Sequence, residues 1–113
     1  METAGRIFMI SSVADSNNLY RQALEQQDYK VFVTDNPYKL IKYADELKPS
    51  LYVLDAATAN VNMWEVLRYL SERRYTTEAP AVVLNVADDS RLEKGAAHYL
   101  PPQASPNRLS AIV

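Results

Sequence analysis

The chain has 113 residues, 48% of them apolar and 23% charged, with a net charge of −2. That length suits one domain, and that composition suits a folded one rather than a disordered one. Cysteine is absent and histidine occurs once, as His98, which excludes disulfides, thiolate metal sites, a cysteine nucleophile and a two-histidine zinc site.

From the amino end, Ile7-Phe8-Met9-Ile10 is a short unbroken apolar run that predicts a strand, closed by Ser11 and Ser12. Asp15-Ser16-Asn17-Asn18 forms a helix-start cluster, and Leu19, Tyr20, Ala23 and Leu24 then recur at helical spacing. Val31-Phe32-Val33 predicts a second strand. Asn36-Pro37 predicts a cap with proline at the first helical position, ahead of one helix whose apolar face is Leu40, Ile41, Ala44 and Leu47 and which Pro49 ends.

Leu51-Tyr52-Val53-Leu54 is the third run and Asp55 closes it. Asn62-Met63-Trp64-Glu65 resembles a capping box, followed by Val66, Leu67 and Leu70 on one helical face. Pro80-Ala81-Val82-Val83-Leu84 predicts a fourth strand. Ser90-Arg91-Leu92-Glu93 opens a helix that Gly95 stops early. His98-Tyr99-Leu100 predicts a brief fifth strand, and Ser105-Pro106 opens a last helix carrying Leu109, Ile112 and Val113.

None of these runs approaches the roughly 20 apolar residues that cross a bilayer. Met1 to Gly5 lacks the basic cluster of a signal peptide. The near balance of charges offers no footprint for nucleic acid or for an anionic membrane surface. A soluble cytoplasmic protein is expected.

Five strands alternating with helices give an α/β (βα)₅ order. Unbroken apolar strands imply a five-stranded parallel sheet with helices on both faces, as in flavodoxin-like folds. In such sheets ligands and chemistry sit beyond the carboxyl ends of the strands. The positions selected by that rule are Ser11, Ser12, Thr34, Asp55, Asn85, Pro101 and Pro102.

Asp55 is the only carboxylate directly at a strand end, where it could accept a phosphoryl group or hold magnesium. A structural residue satisfied by neighbouring backbone donors is the competing reading. Ser11 and Ser12 are neutral, so a single carboxylate would carry the whole charge of an ion, and no specific metal site is expected. Both glycines, Gly5 and Gly95, lie away from any strand-to-helix turn, which argues against a nucleotide or flavin cofactor.

Taken together, these segments resemble a response-regulator receiver domain over nearly the whole chain, residues 1–113. The resemblance lies in Lys48-Pro49-Ser50-Leu51-Tyr52-Val53-Leu54-Asp55, Trp64-Glu65-Val66-Leu67-Arg68, Pro80-Ala81-Val82-Val83-Leu84, Gly95-Ala96-Ala97-His98-Tyr99-Leu100 and Ser105-Pro106. It implies that Asp55 matches the phospho-acceptor and Tyr99 the aromatic switch position. It also implies that Ser11 and Ser12 stand where the family carries a magnesium-binding acidic pair. Asn85 stands at the serine or threonine position, 30 residues after Asp55, and Pro102 at the lysine position. Pro102 has neither charge nor backbone donor.

The 17-residue interval from Asn85 to Pro102 is short for the family, which implies a shortened fourth helix between the fourth and fifth strands. Phosphoryl transfer rests on positioning and charge neutralisation, and each lost group of this kind costs about 2.7–4 kcal/mol of barrier. The resemblance with these departures implies a pseudo-receiver: a phosphorylation-independent interaction module for two-component signalling, with no enzymatic activity and no cofactor. Its partner would be a protein or a fused output domain, met through the shortened helix, Tyr99 and the last helix; homodimer formation stays open. The alternative is a phosphorylatable receiver using Asp55, with Asp15, Asp88 or Asp89 assisting Mg²⁺. A flavodoxin-like small-molecule site is a third reading. The end at Val113 fits either a natural terminus or a boundary before a further domain.

Overall fold

Alternation within the apolar runs decides the layering. In a strand, odd and even residues face opposite sides, and each run here is apolar on both. The computed structural model describes residues 5–12, 14–73, 79–86 and 98–99. It forms them into β1 (Gly5–Ile10), α1 (Ala14–Glu25), β2 (Tyr29–Thr34), α2 (Pro37–Ile41), α3 (Ala44–Leu47), β3 (Leu51–Asp55), α4 (Met63–Glu72), β4 (Ala81–Leu84) and β5 (His98–Tyr99). The strands pair in parallel in the order β2-β1-β3-β4-β5.

Even-numbered Phe8, Ile10, Tyr52 and Leu54 pack with Val83 under Met63, Val66, Leu67 and Leu70 of α4. Odd-numbered Ile7, Met9, Leu51 and Val53 pack with Val82 and Leu84 under Tyr20 and Leu24 of α1. The sheet is therefore covered on both faces, as the unbroken apolar strands require. Phe8 is fully buried and meets Phe32 and Tyr52 edge-on, with ring centroids 5.9 and 5.8 Å apart. Each fully buried side chain of this size contributes about 1.5–3 kcal/mol through removal from water.

Local chemistry sets most of the boundaries. Pro37 opens α2, and the side chain of Asn36 accepts a hydrogen bond from the Tyr38 N–H at 3.1 Å. Asn62 caps α4 in the same way, accepting from the Trp64 N–H at 3.1 Å, while Glu65 sits exposed in the first turn. Gly5 starts β1 at φ 154°, where a Cβ would run into the Ser50 hydroxyl, so glycine is required there.

Two expectations need correction. Asp15-Ser16-Asn17-Asn18 does not precede the first helix but lies within it, because α1 already begins at Ala14. The helix expected across Leu40 to Leu47 is two short helices, α2 and α3, separated by a turn at Lys42 and Tyr43. The break falls where the chain has no glycine or proline. α3 ends at Leu47, followed by Lys48 at φ 48°, and the carbonyl of Leu47 accepts from the Arg6 guanidinium at 3.0 Å. The shortened fourth helix, Leu100 to Pro102 and the last helix lie outside the described residues.

Candidate functional site

The register brings the candidate residues together. Ile10 pairs with Leu54 and Asp55 with Leu84, so one further step along β1 sets Ser11 beside Asp55. The Ser11 N–H continues the ladder by donating to the Thr34 carbonyl at 2.9 Å, and the Ala56 N–H donates to that of Leu84 at 3.0 Å. The ends of four strands, β2, β1, β3 and β4, are thus tied together before any side chain is considered.

Asp55 is completely buried, and among the described residues three neutral donors hold its carboxylate. The Ser11 hydroxyl donates to Oδ2 at 2.7 Å. The Ala57 N–H donates to Oδ1 at 2.9 Å, and the Asn85 side-chain amide donates to the same oxygen at 2.6 Å. Counting the described residues alone, both lone pairs of Oδ1 are engaged and one of those on Oδ2 is. Hydrogen bonds to a carboxylate run shorter and stronger than neutral ones, in keeping with the distances to Ser11 and Asn85.

Asn85 reaches Asp55 from a left-handed backbone, φ 60°. Asparagine tolerates that region better than most residues. A β-branched residue would be strained at the same place, so the backbone turn and the side-chain contact ask for the same residue type.

Ser12 is not on the carboxylate. It is exposed, and its hydroxyl accepts from the Ala59 N–H at 2.9 Å, fastening the loop after β3 to the end of β1. The Thr34 hydroxyl serves the following turn, accepting from the Asn36 N–H at 3.1 Å. Tyr99 lies in β5 beside Val83. Pro102, like Asp88 and Asp89, falls outside the described residues.

Two participants were not among the positions expected from the sequence. Ala57 acts through its backbone N–H, which carries no residue signature. Thr58 is buried, and its hydroxyl donates to the Asp55 carbonyl at 2.7 Å while its N–H donates to the same carbonyl at 3.1 Å. A threonine three residues after a strand-end aspartate is the pattern of such a turn, and that signal was present.

A magnesium ion calls for an octahedral set of oxygens with carboxylates among them. Here one carboxylate is already committed to three donors, and Ser11 and Ser12 add no charge. Among the described residues no group of three or more His, Cys, Asp or Glu comes together. The described residues do not fit that ion.

The loops after β2 and β3 border a cleft of about 470 Å³ lined by Asp35, Asn36, Tyr38, Asn60, Asn62 and Glu65, among others. Ala59, held by the Ser12 hydroxyl, is also part of its lining.

No family model matches the sequence, and no curated protein is similar to it. Solved structures are. The receiver domain of a response regulator from Bermanella marisrubri superposes with a TM-score of 0.82 at 17% identity, over 95% of this chain and 92% of that one. The receiver domain of a signal-transduction histidine kinase from Syntrophus aciditrophicus gives 0.82 at 18% identity, over 96% and 86%. That of a sensor histidine kinase from Pseudomonas aeruginosa, solved with magnesium coordinated in its active-site cleft, gives 0.80 at 14% identity, over 96% and 93%. The chain has the receiver fold.

Proposed function

We propose that this chain is a signalling domain of the receiver type whose output is carried by protein contact rather than by aspartyl phosphate. The observation that supports this reading is the state of Asp55: buried, with its carboxylate held by Ser11, Ala57 and Asn85 and by no cation among the described residues. A phosphoryl group on Oδ1 would displace two donors. On Oδ2 it would enter a pocket whose described groups are neutral. Transfer of a phosphoryl group needs charge neutralisation at the oxygens that receive it.

On this reading Asp55, Ser11 and Asn85 are structural. They brace the carboxyl ends of β1, β3 and β4 in one arrangement, and the domain presents a constant surface to a protein partner or a fused output domain. It catalyses nothing and operates in the cytoplasm. Incubation with acetyl phosphate and magnesium, followed by intact-mass measurement, tests this. The expected result is no phosphoryl adduct. A stoichiometric adduct that Asp55→Asn abolishes would establish the phosphorylatable receiver instead.

A further inference from the structure

The cleft bordered by the loops after β2 and β3 carries a net charge of its own. Two parts of the chain supply it: Asp35, just after β2, and Glu65, in the first turn of α4. Both carboxylates are exposed, and among the described residues neither belongs to an ion pair. No basic side chain lines the cleft. The amino end of α4 offsets the pair by about half a unit of positive charge, so the cleft stays negative. The basic residues of the flanking segments are placed elsewhere. Lys42 lies over the Tyr43 ring at 5.1 Å and Arg73 over the Tyr69 ring at 4.3 Å. Lys39 and Arg68 are exposed and stand outside the lining. The outer face of α4 as a whole is balanced, with Glu65, Arg68, Glu72 and Arg73 all exposed. The negative excess belongs to the cleft alone.

Shape adds a separate requirement. Tyr38 lines the cleft and is 56% exposed, yet its ring is held in place, because Tyr69 meets it edge-on at 5.8 Å. Buried Pro37 and Val66 and half-buried Val61 give the same lining an apolar part. The volume of about 470 Å³ lies within the range of ligand pockets. An occupant of this cleft needs a positive head for two carboxylates, a flat face for a tyrosine and an apolar stem.

We propose that the cleft receives an arginine side chain of the protein partner. This rests on the reading that the domain signals through protein contact, and it names the chemistry that anchors the contact. Among cationic side chains arginine meets all three requirements. Its planar guanidinium is weakly hydrated, stacks on aromatic rings and bonds carboxylates through a fork of donors, whereas the lysine ammonium is a strongly hydrated point charge. Its methylenes cover apolar surface while the head stays charged. The molecule makes the same pairing within itself, in Arg73 over Tyr69. Arginine seated in a pocket is also one of the residue types that carry interface energy. Because both carboxylates face water, one side chain binds weakly and the rest of the partner's surface supplies the remaining affinity.

An NMR titration at low salt with a blocked glycine-arginine-glycine tripeptide tests the proposal, run beside its lysine and citrulline counterparts. Citrulline keeps the shape of arginine without the charge. The arginine peptide is expected to move the amide resonances of Asp35, Tyr38, Asn60 and Asn62 saturably, the lysine peptide to bind more weakly, and the citrulline peptide to leave them in place. Asp35→Asn and Glu65→Gln should each raise the dissociation constant about threefold, the scale of an exposed ion pair. Tyr38→Leu should raise it by a similar factor through loss of the ring. Circular dichroism checks that the variants fold, and the citrulline comparison needs no variant. Absence of a saturable shift with the arginine peptide overturns the proposal. So does a lysine or citrulline peptide that binds as tightly, or affinity unchanged in all three variants. A phosphoryl adduct on Asp55 would overturn the reading of that residue and leave the peptide result standing, so the two failures are told apart.

Discussion

Leu54 and Asp55 are neighbours on β3 and both are completely buried, yet different forces hold the two regions they belong to. Around Leu54 the sheet interior is apolar on both faces, and its stability comes from area removed from water and from close packing. Around Asp55 the burial of a charge-bearing group is sustained by Ser11, Ala57 and Asn85, each aimed at a particular oxygen. The first region tolerates exchange of similar shapes. The second depends on directional partners, and loss of one leaves another buried and unsatisfied. Burial alone therefore says little about what a position does; the chemistry of its neighbours says more.

Substitutions separate the two kinds of region, and they rank by size. The largest loss is expected in the interior. Phe8→Ala removes a fully buried ring and two aromatic contacts and should cost about 3–5 kcal/mol in chemical denaturation. In the polar region, Ser11→Ala and Asn85→Ala should each cost about 1.5–3 kcal/mol, the range for hydrogen bonds to charged groups. Asn85→Ala also places alanine at φ 60°, so Asn85→Gly isolates the side-chain bond from the backbone effect. Because both donors serve one carboxylate, the double variant should depart from additivity, which a double-mutant cycle reads directly.

At the helix ends, Asn62→Ala removes the cap of α4 and should cost about 0.5–2 kcal/mol. Smallest is the exposed pair between Arg21 and Glu25, 3.8 Å apart on α1. Glu25→Ala should change stability by less than about 1 kcal/mol, and less still at high salt.

Most of the sheet was legible in the sequence because its signals are local. Four-residue apolar runs mark β1, β3 and β4, and Asn36-Pro37 and Asn62 mark helix starts through cap chemistry. Asp55 stood out as the carboxylate closing an apolar run. What the sequence withheld depends on three dimensions. The break between α2 and α3 has no residue to announce it. That Ser11 and Asn85, 44 and 30 residues from Asp55, converge on opposite oxygens follows from the register of three strands. The edge-on contact of Tyr38 in α2 with Tyr69 in α4 is likewise set by packing and has no local signal.

The central claim is that neutral donors occupy the carboxylate at the strand end and leave it no use for a divalent cation. A magnesium titration followed by NMR tests this most directly, read at the Ala57 amide and the Asn85 side-chain amide. The account predicts that both resonances stay in place as magnesium rises, while Ser11→Ala alone displaces them. A saturable shift of both signals in the unaltered protein, lost in Asp55→Asn, would contradict it.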